Sequence, residues 1–434
     1  MVFWVRRSTL RTHEGSEMPP RHRRREFTRR DFLAGALATG TLSAIGTYLT
    51  PGGSTPSVNI KFVTGSDSSG VRNLLVSMWN QANPRATVIV DEVGGESTRD
   101  QRNAMISRAE SGSADVLNLD VIHIAYFRER GYIMPVHLED AQEFIPSTLL
   151  PSQLGDPASK EYWAAPFNTD VGMIFERLKP DSPPPGDEVP PLSLIIDQLV
   201  ADQSRQFAGQ LNPSSTGSSE VFVVNMLEHA VSRDPDIINS KTGIPVLALE
   251  RWQTAFGPLR AATAKGRVTR SDTESLTRGV FRQQSLSYMR NWPAEYRELQ
   301  QDGDPDSRVQ RIRVGPLPNG VLGGGSLAIP SNAPQSGRAG EFIRFLTGEP
   351  AQRIIAAYAL APARSGAYED SGLQTFIPHL KKVRGAVEDA LPRPITPGYQ
   401  EFSDTVSEHF KELLGGKDLT TEFIEDIRRA LGLN

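Results

Sequence analysis

Between Ser57 and Asp120 the chain alternates between β-branched runs and helically spaced apolar residues, and this restricts the fold more than any other feature of the sequence. Residues 57–63 alternate and carry Val, Ile and Phe, then break at the loop 65–70, Gly-Ser-Asp-Ser-Ser-Gly. Val71, Leu74, Leu75 and Met78 follow at helical spacing as far as Asn83-Pro84, where proline stops a helix. The same reading predicts a strand over 87–90, a helix over 100–110, a strand over 114–120 and a short helix to Gly131. Strand, helix, strand, helix, strand is the pattern of an open α/β sheet. Ligands of such sheets bind beyond the carboxyl ends of the strands, here the loop 65–69 with Ser66 and the segment 118–120 with Asp120.

A second stretch, 162–177, has the chemistry of a binding wall. It opens with Tyr162-Trp163, turns at Pro166, sets out Asn168, Thr169 and Asp170, and runs into the apolar strand 171–175. A polar, weakly charged ligand such as a sugar needs this mixture, because its C–H faces rest on rings while its hydroxyls need fixed donors and acceptors. An ordinary core strand entered through a turn fits these residues as well. Beyond it, 180–191 is a Pro- and Asp-rich loop, and 192–313 reads as mainly helical, with clear periodic segments at 219–231 and 247–263 and a break at Asp302-Gly303-Asp304. A strand is expected around 311–314, a Gly-rich loop at 323–325, tandem helices at 339–346 and 350–358, and closing helices at 402–414 and 419–431. There is no internal repeat.

The N-terminus reads as an export signal. Basic residues 21–25 precede Thr28-Arg29-Arg30-Asp31-Phe32-Leu33, and 34–49 is apolar but rich in Gly, Ala and Thr, too short for a comfortable span. This is the layout of a twin-arginine (Tat) signal over residues 1–50, with Met18 an alternative start and Ala44-Ile45-Gly46 a small-x-small cleavage candidate; left uncleaved, the segment would tether the protein to the membrane. The chain has no cysteine, so a lipidated N-terminal cysteine, disulfides and thiolate metal sites are excluded. The first fifty residues hold nine arginines against four acidic residues, so the formal −4 of the whole chain becomes −9 for the rest. An acidic protein is not built to neutralise phosphates, and nucleic acid is not an expected partner.

Six blocks, in order, resemble one family: 112–117 with Asp120, the stretch 162–177, Met289-Arg290-Asn291-Trp292-Pro293, 314–318, 339–347 with Pro350-Ala351-Gln352, and 392–399, Pro-Arg-Pro-Ile-Thr-Pro-Gly-Tyr. The family is the extracellular solute-binding proteins of ABC importers (family 1), the group that includes maltose- and trehalose-binding proteins. The resemblance implies a two-lobed α/β fold of the periplasmic-binding-protein II type, with a hinge and a central cleft that closes on the ligand. On that template lobe one is 56–167 completed by 320–357, lobe two is 172–314 completed by 367–434, and the crossings lie near 168–171, 315–319 and 358–364.

Carried over position by position, Asp120 and Asp170 match acidic residues that bind sugar hydroxyls, Trp292 matches an aromatic platform, and Arg364 lies in a Pro/Thr-x-Arg block near the cleft. Ser66 matches by position, and Asn168, Trp163 and Gly325 complete the expected set. After the glycines this chain has Ser326 where the family has a second tryptophan. Several of these residues also have ordinary roles: Asp120 suits a helix N-cap, Asp170 a hinge carboxylate, Trp163 and Trp292 packing, Arg364 a hinge salt bridge. The expected function is capture of a small solute, a carbohydrate first, for delivery to ABC permease subunits, by a monomer without cofactor, metal or turnover. Two alternatives stand beside it: a sensor or surface receptor of the same fold, and a glycoside hydrolase using Asp120 and Asp170 as paired carboxylates. The latter needs no motif, while Gly-x-Ser-x-Gly, His-Glu-x-x-His and P-loop signatures are all missing.

Overall fold

In the computed structural model the alternating segments hydrogen-bond into two separate sheets. The structure describes residues 57–94, 98–153, 161–178, 188–202, 204–213, 220–283, 286–301 and 312–433. The export signal, most of the Pro-rich loop and the break at Asp302 lie outside them. In chain order the strands are β1 (Val58–Thr64), β2 (Ala86–Glu92), β3 (Val116–Asp120), β4 (Ile133–Met134), β5 (Val136–His137), β6 (Glu161–Tyr162), β7 (Ala165–Asp170), β8 (Met173–Arg177), β9 (Phe207–Gly209), β10 (Val268–Arg270), β11 (Tyr288–Asn291), β12 (Ile312–Pro316), β13 (Gly323–Pro330) and β14 (Ala361–Pro362). The first sheet runs β14-β7-β13-β3-β1-β2, with β4 on β13; the second runs β10-β9-β11-β8-β12; β5 and β6 pair by themselves.

The first half of the chain follows the periodicity closely. β1 pairs in parallel with both β2 and β3, as right-handed crossovers through helices require. The helix Val71–Ala82 buries Val71, Leu75, Val76 and Trp79, with Leu74 and Met78 half-buried beside them, and ends where Asn83 donates its N–H to Trp79 O. Trp79 packs on Phe342 and Phe345 of the helix Ser336–Thr347, and its indole N–H reaches Ala86 O at 2.7 Å. The first sheet and these helices share one core around Ile60, Phe62, Leu327 and Ile355.

The second sheet departs from expectation, because three strands, β9 to β11, cut through a region read as helical. Each has three or four residues, too few for the period of two to register. They are held by what covers them: the helices Leu192–Ala201, Glu220–Val231 and Leu249–Ala264, then Tyr399–Leu414 and Thr421–Ala430. Phe423, Ile424, Ile427 and Ala430 form the inward stripe of the last helix, and Phe423 meets Trp252 edge-on at 5.5 Å between ring centres. Burial of one such ring contributes about 2–3 kcal/mol. Short helices at Gly366–Glu369, Ser371–Phe376 and Leu380–Glu388 were also not anticipated.

The chain passes from one sheet to the other between β7 and β8 at Val171-Gly172, and between β12 and β13 through 317–322. The two crossings touch: a Cβ on Gly320 would lie 3.9 Å from Gly172 N. The carboxyl end of β3, the end of β7 and the start of β13 therefore meet beside the connection between the sheets.

Candidate functional site

Three strands bring four of the expected residues into line. Gly325 of β13 lies opposite Asp120 of β3 on one side and Asn168 of β7 on the other, and Gly323 lies opposite Asp170. Gly325 is required here: a Cβ would sit 2.5 Å from Asn118 Oδ1 and 3.1 Å from Asn168 Oδ1, so only glycine lets the two amide oxygens converge. Gly324 takes φ +120°, with Asn168 O and Thr169 Cα against it. Asn118 donates to Thr64 Oγ1 at 3.2 Å, while its buried Oδ1 has no partner among the described residues. A polar floor therefore lies at the strand ends, with unfilled hydrogen-bonding capacity.

Asp120 takes the expected cap role and a second tie that the sequence did not suggest. Its Oδ1 accepts from Ile122 N at 3.3 Å, capping the turn 121–123, and from Arg393 Nη2 at 2.9 Å. Arg393 is buried and also donates to Glu220 Oε1 at 2.6 Å and to Leu322 O at 3.2 Å; Glu220 is held in turn by Tyr399 and Ser403. Arg393 thus joins the β3 end of the first sheet to the helices of the second.

Asp170 is half-buried and its carboxyl, among the described residues, receives no hydrogen bond. Desolvation first, and then the Asp120 and Glu274 carboxylates, push its pKa up to about 7, against the opposing pull of Arg290 and Arg393. Trp292 stands beside these groups. Its indole N–H donates to Glu274 Oε1 at 3.0 Å, and the Arg290 guanidinium lies over its ring, 3.8 Å from the centre. Arg290 is itself clamped by Glu228, Nε to Oε2 at 2.6 Å and Nη2 to Oε1 at 2.7 Å, in a pair almost wholly removed from solvent.

The other expected residues scatter. Trp163 is half-buried under Arg128 and lines a cavity of about 440 Å³ with Ala125, Glu129, Ile395 and Pro397, so segments far apart in sequence border it. Ser66 is exposed in a loop tied by Asp67, whose carboxylate takes Ser69 N, Ser69 Oγ and Arg72 N; Arg297 reaches that loop from the other side, 3.5 Å from Ser69 O. The expectation for Arg364 needs correction. Its guanidinium is buried on Phe144 and engaged by Asp140, Glu143 and Thr347 O, so it anchors the segment 140–144 to the chain after β14 and offers a solute nothing.

Comparison with known proteins adds a likeness over part of the chain and in the fold. Residues 201–376 match the family model for bacterial extracellular solute-binding protein. A probable ABC transporter-binding protein of Deinococcus radiodurans is 24% identical over 326 residues, covering 69% of this chain and 74% of the relative. Over that segment and in its fold, this chain is similar to extracellular solute-binding proteins of the ABC-transporter kind. Among solved structures of such solute-binding proteins, maltose-bound MalE3 of T. maritima superposes with a TM-score of 0.72 at 22% identity, covering 87% of this chain and 99% of that one. The GacH receptor of Streptomyces glaucescens, solved unliganded and with acarbose, gives 0.70 at 16% identity with the same coverage. A solute-binding protein of Agrobacterium radiobacter in complex with ribitol gives 0.67 at 16%, covering 87% and 99%. These identities carry the fold, and the matched family segment includes Trp292 and Gly325 but not Asp120 or Asp170.

Sequence reasoning missed the charged groups behind this site. Arg290 and Arg393 lay inside quoted blocks without a role, and Glu220, Glu228 and Glu274 look like ordinary helical acids. One signal was available for Glu228: the helix Glu220–Val231 is buried from Phe222 onward, and a carboxylate inside an otherwise apolar helix demands a cationic partner.

Proposed function

We propose that the protein captures a small polyhydroxylated solute, a carbohydrate, between its two sheets outside the cytoplasm and delivers it to an ABC permease as a monomer without turnover. The observation that supports this reading is the convergence of Asp120, Asn168 and Asp170 on the glycine tract 323–325, next to Trp292 and the connection between the sheets. Hydroxyls would take Asp120, Asn168, Asp170 and Asn118, with the sugar's C–H face on Trp292. Relatives of the fold that carry maltose, acarbose or ribitol point to the same ligand class. Lobes 56–167 with 320–357 and 172–314 with 367–434 would close on the solute, and Ser66 and Trp163 would line the rim.

The test is a thermal-shift screen of mono- and disaccharides and polyols, followed by calorimetry on Trp292→Ala and Asp170→Ala with any hit. A bound solute should stabilise the fold by about 2.7 kcal/mol at a hundred times its dissociation constant. Each variant should keep the fold and lose about 1–3 kcal/mol of binding. A hit whose affinity neither substitution changes would place the solute elsewhere.

One observation favours a second reading. A carboxyl that keeps its proton up to about pH 7 beside another carboxylate is the arrangement of a glycoside hydrolase. The same sugars, offered as chromogenic glycosides, should give no turnover; hydrolysis lost in Asp170→Asn would establish the enzyme instead.

A further inference from the structure

We propose that the buried Glu228–Arg290 ion pair is the positioning unit of the Trp292 platform and ties that platform to the chain crossing at Gly172. The inference rests on Trp292 facing the solute, as proposed above.

The geometry is continuous from the crossing to the ring. Glu228 belongs to the helix Glu220–Val231, and its carboxylate fills the space beside Gly172, where a Cβ would overlap both of its oxygens. That carboxylate holds the Arg290 guanidinium through two bonds, and a third, from Arg290 Nη1 to Gln210 Oε1 at 3.2 Å, fixes the plane. Gln210 Oε1 also accepts from Asn225 Nδ2 at 3.0 Å, so the guanidinium cannot rotate without breaking a buried network. On this fixed plane lies the indole of Trp292, 3.8 Å from ring centre to the guanidinium carbon, its N–H pinned by Glu274.

Arg290 and Glu228 are both fully buried, whereas Trp292 is only partly so. The guanidinium therefore backs the indole, and the ring's accessible surface is what remains for the solute. A charged pair is a costly way to support a ring, since an apolar pair of equal volume would pack as well or better. What the pair adds is direction: a bidentate fork and a cation–π contact define the ring plane, where aliphatic packing would leave it free to tilt. Because Glu228 presses on Gly172, movement at the crossing is passed to the platform through rigid contacts.

The experiment uses the purified protein, with maltose as the probe and the Trp292 emission obtained as the wild-type spectrum minus that of Trp292→Phe. Glu228→Gln alone would strand a buried cation and risks the fold, so the informative variants are Glu228→Leu/Arg290→Met, which removes both charges, and Arg290→Lys, which keeps the charge without the planar fork. Each should melt cooperatively, shift the Trp292 emission to the red and raise the maltose Kd tenfold or more. A folded double variant with wild-type emission and wild-type Kd overturns the proposal. If the double variant does not fold, Arg290→Lys decides by the same two readings. If the wild-type protein binds no maltose, the sugar reading is decided by the wider screen, and the positioning claim is decided by the emission and its quenching by acrylamide, where no change overturns it.

Discussion

Asp170 is the residue whose environment differs most from what its position in the sequence suggests. Its carboxyl pKa lies near 7 in the fold and near the model-peptide value of about 3.9 in the unfolded chain. Between those values the folded state binds more protons than the unfolded state, so stability falls as pH rises through the window, and the cost is complete above pH 7. Asp170→Asn abolishes this titration. Its Tm relative to wild type should climb between pH 4 and pH 7 and then level off, and a difference that stays flat across that range would show that the carboxyl is ionised throughout. Asp120, Asn168, Asp170 and Gly325 were legible because they end or interrupt apolar strands. Arg364 misled because sequence adjacency to β14 says nothing of where a long side chain turns, and the exposed acids Asp140 and Glu143 draw it away. Glu274, Arg290 and Arg393 stayed hidden for the converse reason: their importance comes from neighbours far off in sequence.

Within the elements, the glycine tract of β13 has the narrowest tolerance. Gly325→Ala would put a methyl group against Asn118 Oδ1 in a strand paired on both sides, where neither neighbour can withdraw. Such overpacking costs about 1–3 kcal/mol, readable as a lower urea midpoint at unchanged slope. A midpoint equal to wild type would mean that Asn118 moves freely. In the first sheet β1, β2 and β3 were legible from periodicity because they and their helices are contiguous, whereas 323–325, expected as a loop, opens β13, since three glycines carry no apolar alternation. The second sheet was not, since β9, β10 and β11 are short strands recruited by helices on either side, and a three-residue strand has no pattern of its own.

At the scale of the whole molecule, two ion pairs among the described residues join the elements of the first sheet to those of the second. One is Asp120 with Arg393; the other is Arg99, on the helix Thr98–Glu110, with Asp404 on Tyr399–Leu414. The second is exposed and will be screened by salt, while the first has a buried cation and will persist. Arg393→Met should therefore raise the radius of gyration of the solute-free protein in X-ray scattering, and a bound solute should bring it back; an unchanged radius would show that other contacts hold the lobes together. Export is tested apart from binding: Arg29→Lys with Arg30→Lys should leave the protein in the cytoplasmic fraction, and undisturbed export would refute the twin-arginine assignment. The Asp120 tie also divides one carboxylate between two tasks. Oδ1 takes both the backbone N–H of Ile122 and Arg393, while among the described residues nothing hydrogen-bonds Oδ2. The cap already fixes this carboxylate within its own strand end, and Arg393 adds a second tie from the helices of the other sheet. A carboxylate fixed twice has little rotamer entropy left to lose, so a hydroxyl reaching Oδ2 would meet a preorganised acceptor.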